Sequence, residues 1–240
     1  MKILLATQKP FAAAAVNGIR SILEEAGNEV VLLEKYAGED ELVAAVADVD
    51  AMIIRSDKVT ARVLDAAPKL KIVVRAGAGF DNVDLAAATA HGVVVENTPG
   101  QNSNAVAELA IAMMIYMSRN QFTPATGTEI SGKTVGIQAF GNVGRLVGQK
   151  AAALGMKVKA VDPFIPAEKI AEAGAEPVAD VAALYSSSDF VSVHIPALPS
   201  TIGSIGYDLI TSMPKGAVLV NTARKEVIDD TKKNVMEMLK

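Results

Sequence analysis

Cysteine is absent from the 240 residues, and only two histidines occur. Without cysteine there is no disulfide framework, no thiolate zinc site and no cysteine nucleophile. No metal site is expected, and the composition fits a reducing cytoplasm, the expected compartment. Aromatic residues make up 4% of the chain and the formal net charge is −4, which argues against a nucleic-acid surface. No uncharged apolar run reaches the roughly 18–20 residues that a membrane-spanning helix needs. The run Met1-Lys2-Ile3-Leu4-Leu5-Ala6-Thr7 is too short for a secretory hydrophobic segment and is expected to form a first strand. Half the residues are hydrophobic, enough to build the core of one large or two modest domains. Any anionic ligand must then be held by local arginines, lysines and backbone N–H groups.

Apolar runs alternate with helical patterns throughout. Strands are expected at 3–6, 30–33, 51–54, 72–74 and 93–95, with helices at about 11–26, 40–47, 60–66 and 84–90. Gly27-Asn28 stops the first helix. Strands this apolar, alternating with helices, indicate a parallel sheet covered on both faces. Ligands of such sheets sit at the carboxyl ends of the strands. Three of those ends are polar: Arg55-Ser56-Asp57-Lys58, Arg75-Ala76-Gly77-Ala78-Gly79 and Asn97-Thr98-Pro99-Gly100. A helix over about 103–119, apolar from Ala105 to Met117 except for Glu108, is expected to be buried as a core helix or a subunit interface. A linker follows at 121–127. The alternation then resumes, with strands at 158–161, 190–194 and 218–221 and helices at about 166–173, 179–185 and 205–211. The tail from Asp229 to Lys240 can form a helix with Val235, Met236 and Leu239 on one stripe.

The stretch from Lys133 to Arg145 carries the sharpest chemical signal. An apolar run ends at Ala139-Phe140-Gly141-Asn142-Val143-Gly144, a helical pattern follows, and a second apolar run ends at Asp162. Strand, glycine turn, helix, strand and terminal acid is the layout of a dinucleotide-binding βαβ unit. A plain βα turn is the simpler alternative. Gly141 would let the backbone approach a pyrophosphate, and Gly144 would allow close packing of helix on strand. The helix N-terminus, at Asn142 and Val143, offers free N–H donors. Asp162 would accept hydrogen bonds from ribose hydroxyls, which favours NAD over NADP. The first glycine of the usual fingerprint is replaced by Ala139.

Hydride transfer to such a cofactor needs cations for the substrate's charge and a group that handles a proton. Arg55, Lys58, Arg75 and Arg224 all follow expected strands. Arg224 could pair bidentately with a carboxylate, and Gly77-Ala78-Gly79 could offer backbone N–H groups to the same anion. His91 reads as a surface residue, and His194, closing a strand, as a structural imidazole near the cofactor.

Taken together these segments resemble the D-isomer-specific 2-hydroxyacid dehydrogenases. The resemblance rests on Arg55-Ser56, Val74 to Asp84, Asn97 to Ser103, Val106-Ala107-Glu108 and Gly136 to Gly144. His194-Ile195-Pro196, Met213 to Ala217 and Asn221 to Arg224 complete it. It implies an α/β fold with two doubly wound parallel-sheet domains: a flavodoxin-like substrate domain at 1–98 and a Rossmann cofactor domain at 127–240. Residues 99–126 form the connecting helix and linker. Within the family it points to NAD-dependent oxidation of the 2-hydroxy group of 3-phosphoglycerate, at the head of serine biosynthesis. Another D-2-hydroxy acid (glycerate, hydroxypyruvate or lactate) and an NAD-binding dimer without catalysis are the alternatives. By resemblance Arg224 is catalytic. Arg55, Lys58, Arg75, Gly77, Ala78, Gly79 and Asn102 bind the small anionic substrate, expected to be phosphorylated. Ala139, Gly141, Asn142, Val143, Gly144, Asp162, His194, Pro196 and Thr222 bind NAD. A homodimer using the helix after Asn102 is implied, with no nucleic-acid or membrane partner. The family pattern continues past the arginine with an Asp, a Glu and a His or Lys. Glu226, Asp229 and Asp230 match no such motif, so the cofactor domain is expected to be truncated or to lack a segment after about residue 230.

Overall fold

The computed structural model describes residues 1–231. The chain forms two compact units, the first Met1–Gln101 and the second beginning at Asn102. In the first unit the strands are β1 (Lys2–Thr7), β2 (Glu29–Glu34), β3 (Ala51–Ile54), β4 (Ile72–Arg75) and β5 (Val94–Asn97). The helices between them are α1 (Ala13–Glu25), α2 (Glu39–Ala45), α3 (Ala61–Asp65) and α4 (Leu85–Ala90). All pairings are parallel, in the order β2-β1-β3-β4-β5. This is the flavodoxin-like order, whose direction reverses between β1 and β3. Leu4, Met52, Ile54 and Val73 from the strands pack with Leu42, Val63 and Leu64 from the helices in one apolar core.

Local chemistry sets the helix limits. Gly27, at φ 77°, ends α1, and the Asn28 amide turns back to the carbonyl of Leu23 at 3.1 Å. Thr60 caps α3 and Asp84 caps α4, each side chain accepting from the amide three residues on. The expected helices at 60–66 and 84–90 therefore begin one residue later, because these side chains replace the missing intrahelical acceptor. The fifth strand runs to Asn97 rather than ending at Val95. Its ladder with β4 continues through Glu96 and Asn97 after the apolar pattern has stopped.

The second unit opens with α5 (Ser103–Ser118) and a single 3-10 turn at Asn120–Phe122. There follow β6 (Thr134–Gln138), α6 (Asn142–Ala153), β7 (Lys157–Val161), α7 (Ala167–Glu172), β8 (Glu176–Pro177) and α8 (Val181–Ser186). After these come β9 (Phe190–Val193), α9 (Tyr207–Thr211), β10 (Val218–Asn221) and a 3-10 turn at Lys225–Val227. The five strands are parallel in the order β8-β7-β6-β9-β10, the Rossmann half-sheet order with its reversal between β6 and β9. Sequence patterning does not anticipate β8, whose two residues are too few to show a period. Of the expected tail helix, residues 229–231 are irregular; the rest, with Val235, Met236 and Leu239, lies outside the described residues.

Helix α5, expected as a core helix or a subunit interface, is buried within the chain along one face only. Ala107, Ala110, Ile111 and Met114 are buried, packed in the core cluster that also holds Val147 of α6 and Val220 of β10. Leu109, Met113, Tyr116 and Met117 are exposed, and Phe122, which meets the Tyr116 ring edge-on at 5.3 Å, is 67% exposed. Its apolar residues outnumber what one face can bury within a single chain. Among the described residues no helix is long and apolar enough to cross a membrane.

Candidate active site

Strand register in the second unit gathers residues that lie far apart in the chain. Gln138 at the end of β6 pairs with Val161 on one side and Val193 on the other, and Val193 pairs with Asn221. One residue further along these four strands stand Ala139, Asp162, His194 and Thr222. They form a single row across the point where the strand order reverses. The row is hydrogen bonded: Ala139 N–H donates to Val161 O at 3.0 Å and His194 N–H to Gln138 O at 3.0 Å.

The glycine turn sits on this row. Ala139 takes φ 72°, the left-handed conformation that the usual glycine adopts without cost. Gly144 has no room for a side chain, because a Cβ would stand 2.2 Å from the Ala139 carbonyl oxygen. Gly141 is the opposite case: nothing lies within 4 Å of where its Cβ would be, which leaves the backbone of the α6 N-cap open to a ligand. Asp162 is fastened to the turn, Oδ2 accepting from Phe140 N–H at 2.8 Å and Oδ1 from Phe164 N–H at 2.8 Å. Each carboxylate oxygen retains a second lone pair for a ligand hydroxyl. The residues present thus fit a dinucleotide, with Asn142 and Val143 in the first turn of α6 and Asp162 at the end of β7. Among the described residues no group of three or more metal-binding side chains is found.

Beside the turn, His194 Nε2 lies 2.9 Å from Ser192 Oγ and Nδ1 lies 3.5 Å from Thr222 Oγ1. Burial lowers the imidazole pKa to about 4, so the ring is neutral at physiological pH. Pro196, two residues further on, is exposed. Arg224 is held just past β10 by Asn221, whose Oδ1 accepts from Ala223 N–H at 2.9 Å and whose Nδ2 donates to Arg224 O at 2.8 Å.

Three residues beneath the row escaped the sequence reading. Tyr185 OH donates to Gln138 Oε1 at 2.8 Å, both side chains buried, and burial raises the phenol pKa. Gly136 is also required, since a Cβ there would meet Ser188 Oγ at 2.4 Å. A polar residue and a glycine inside an otherwise apolar strand were the available signals.

In the first unit, Arg55 and Lys58 are exposed just beyond β3, while Asp57 between them is buried. The Arg75 guanidinium lies over Gly77, where a Cβ would stand 1.5 Å from Nη1; Gly77 takes φ 151°. The turn is tied to the strands around it. Ala76 N–H donates to Ile54 O at 2.8 Å and Thr98 N–H to Gly77 O at 2.9 Å, while Asn97 Nδ2 donates to Ala78 O at 2.7 Å. Gly79 follows in the same turn. Asn102, the first residue of the second unit, is exposed before α5 and makes no side-chain capping bond. His91, at the end of α4 and before the amino end of β5, is bonded to Asp65 at 2.9 Å on the surface.

The sequence profile described as "D-isomer specific 2-hydroxyacid dehydrogenase, catalytic domain" matches residues 11–240. The chain belongs to this family. Among its relatives, D-3-phosphoglycerate dehydrogenase of Mycobacterium tuberculosis is 42% identical over 205 residues, 80% of this chain and 39% of the relative. The Rattus norvegicus protein of the same name is 40% identical over 226 residues, 88% of this chain and 42% of the relative. A solved structure of cofactor(NAD+)-bound 3-phosphoglycerate dehydrogenase from Entamoeba histolytica is 45% identical, with a TM-score of 0.92 covering 99% of this chain and 76% of that one. The chain spans about two fifths of the length of the curated relatives it matches.

Proposed function

We propose that the protein binds NAD on its second unit and serves the oxidation of the 2-hydroxy group of 3-phosphoglycerate to 3-phosphohydroxypyruvate, the reaction that opens serine biosynthesis. The observation that carries the reading is the row Asp162, Ala139, His194 and Thr222 at the strand reversal, with an open backbone at Gly141. The names of the relatives support the substrate. Bound NAD supplies the hydride acceptor. The α6 N-terminus at Gly141, Asn142 and Val143 would hold its pyrophosphate, Gly144 would let α6 pack close enough to do so, and Asp162 would hold the adenosine ribose. His194, Pro196 and Thr222 would flank the other end of the cofactor. A neutral imidazole at position 194 adds no charge to that end.

Arg224 is the proposed catalytic residue, a guanidinium suited to pair with a substrate carboxylate and polarise the reacting carbonyl. On the first unit, Arg55, Lys58, Arg75 and the Gly77-Ala78-Gly79 backbone are proposed to hold the substrate's anionic groups, and Asn102 to contact the substrate. The exposed apolar face of α5 supports a homodimer, and the lack of cysteine suits a cytoplasmic setting.

Calorimetric titration with NAD and with NADP, followed by NADH formation from 3-phosphoglycerate at 340 nm, tests the reading. NAD should bind more tightly than NADP, and Arg224→Ala should abolish turnover without weakening NAD. Equal affinity for the two dinucleotides would overturn the role of Asp162; undiminished turnover by the variant would overturn that of Arg224.

A further inference from the structure

Asp57 is the one carboxylate counted as buried among the described residues, at 4% exposure. Burying a carboxylate is costly unless hydrogen bonds replace its water, and here three neutral donors do so. Gln8 N–H and Tyr36 OH each donate to Oδ1 at 2.7 Å, and Arg55 N–H donates to Oδ2 at 3.3 Å. The Asp57 carbonyl in turn accepts from Asn82 Nδ2 at 2.7 Å. Gln8, Tyr36 and Asn82 come from the loops after β1, β2 and β4, so one residue, through its side chain and its carbonyl, joins four loops on the carboxyl edge of the sheet. The Val59–Val83 bridge continues the join. This edge is where a doubly wound sheet presents its ligand, and the strand order reverses between β1 and β3.

We infer that Asp57 is a positioning residue: its buried carboxylate fixes the loop from Arg55 to Lys58, so that the two exposed cations meet an anionic substrate already arranged. The inference rests on the anion-binding reading of this unit given above. The two oxygens divide the work. Oδ1 secures the neighbouring loops through Gln8 and Tyr36, and Oδ2 alone holds the Arg55 backbone. An ordered loop binds an anion more tightly because less freedom is lost on binding.

The division of labour makes the idea testable. Asp57→Asn can keep an oxygen toward Gln8 and Tyr36 while placing an NH2 against the Arg55 N–H, which breaks only the bond that orders the cations. Tyr36→Phe removes a bond to the other oxygen and leaves the Arg55 bond in place. In calorimetric titrations of the full chain with 3-phosphoglycerate, Asp57→Asn should raise Kd by about three- to tenfold, with the Kd for NAD unchanged. Tyr36→Phe should lower the melting temperature and leave both Kd values unchanged. Arg55→Ala serves as the control and should weaken 3-phosphoglycerate binding. A normal Kd for Asp57→Asn beside a weakened Arg55→Ala would overturn the positioning role alone. Equal weakening by Asp57→Asn and Tyr36→Phe would overturn it too, reducing Asp57 to a stabilising group. Unchanged binding by Arg55→Ala, or no binding by the native chain, would overturn the anion-binding reading and this inference with it.

Discussion

The amide of Phe140 donates to Asp162 Oδ2 at 2.8 Å, so the acid that ends β7 is fastened to the glycine turn that ends β6. The carboxylate therefore holds the turn, and under the proposed function it would also offer acceptors to a ribose. Asp162→Ala leaves the Phe140 amide without its acceptor, a loss of roughly 1–3 kcal/mol. It should weaken NAD binding by about tenfold or more. Asp162→Asn keeps one acceptor oxygen and should lose less. Calorimetric titration of both variants checks the order.

The two glycines of the turn should respond differently to a methyl group. Gly144→Ala forces a Cβ to 2.2 Å from the Ala139 carbonyl oxygen and should destabilise the second unit by about 1–3 kcal/mol. Gly141→Ala meets nothing within 4 Å, so its melting temperature should stay near that of the native chain while NAD binding falls. Paired thermal melts and titrations separate the two effects.

Ala139 at φ 72° carries backbone strain that glycine would not. Relief of that strain, less the extra freedom of glycine in the unfolded chain, leaves a net gain of roughly 0.5–1 kcal/mol for Ala139→Gly. The variant should unfold at a higher urea concentration with an unchanged slope.

His194, with its pKa lowered to about 4 by burial, makes stability depend on pH. Between that value and the unfolded value near 6.5, the unfolded chain takes up a proton that the folded chain refuses. Its contribution is therefore full above about pH 6.5 and is lost as the pH falls toward 4, by on the order of 2–3 kcal/mol. Replacement by Gln should remove that part of the slope. Urea unfolding of both proteins from pH 4 to pH 7 measures it.

The exposed apolar face of α5 should hold two copies together. Leu109→Glu combined with Met113→Glu places charge on that face while sparing Ala107, Ala110 and Met114, which are buried within the chain. Light scattering should show about twice 25.0 kDa for the native chain and a single chain's mass for the variant. An unchanged mass would remove α5 from the interface.

Periodicity and turn chemistry act over a few residues, so the sequence by itself determined the alternation of strands and helices, the parallel sheets and the glycine turn with its acid. It could also mark Arg55 and Arg224 as lying past strand ends, and Arg75 as lying at one, where it is the last residue of β4. It could not set Thr222 and His194 beside Ala139, because pairing register is a relation between segments that spacing along the chain does not encode. Nor could it show that Asp57 turns inward while Arg55 and Lys58 turn out, since the four successive polar residues Arg55 to Lys58 look alike until Gln8 and Tyr36 bond to one of them. The tertiary structure decided both, through hydrogen bonds between loops that meet only when the sheets have formed.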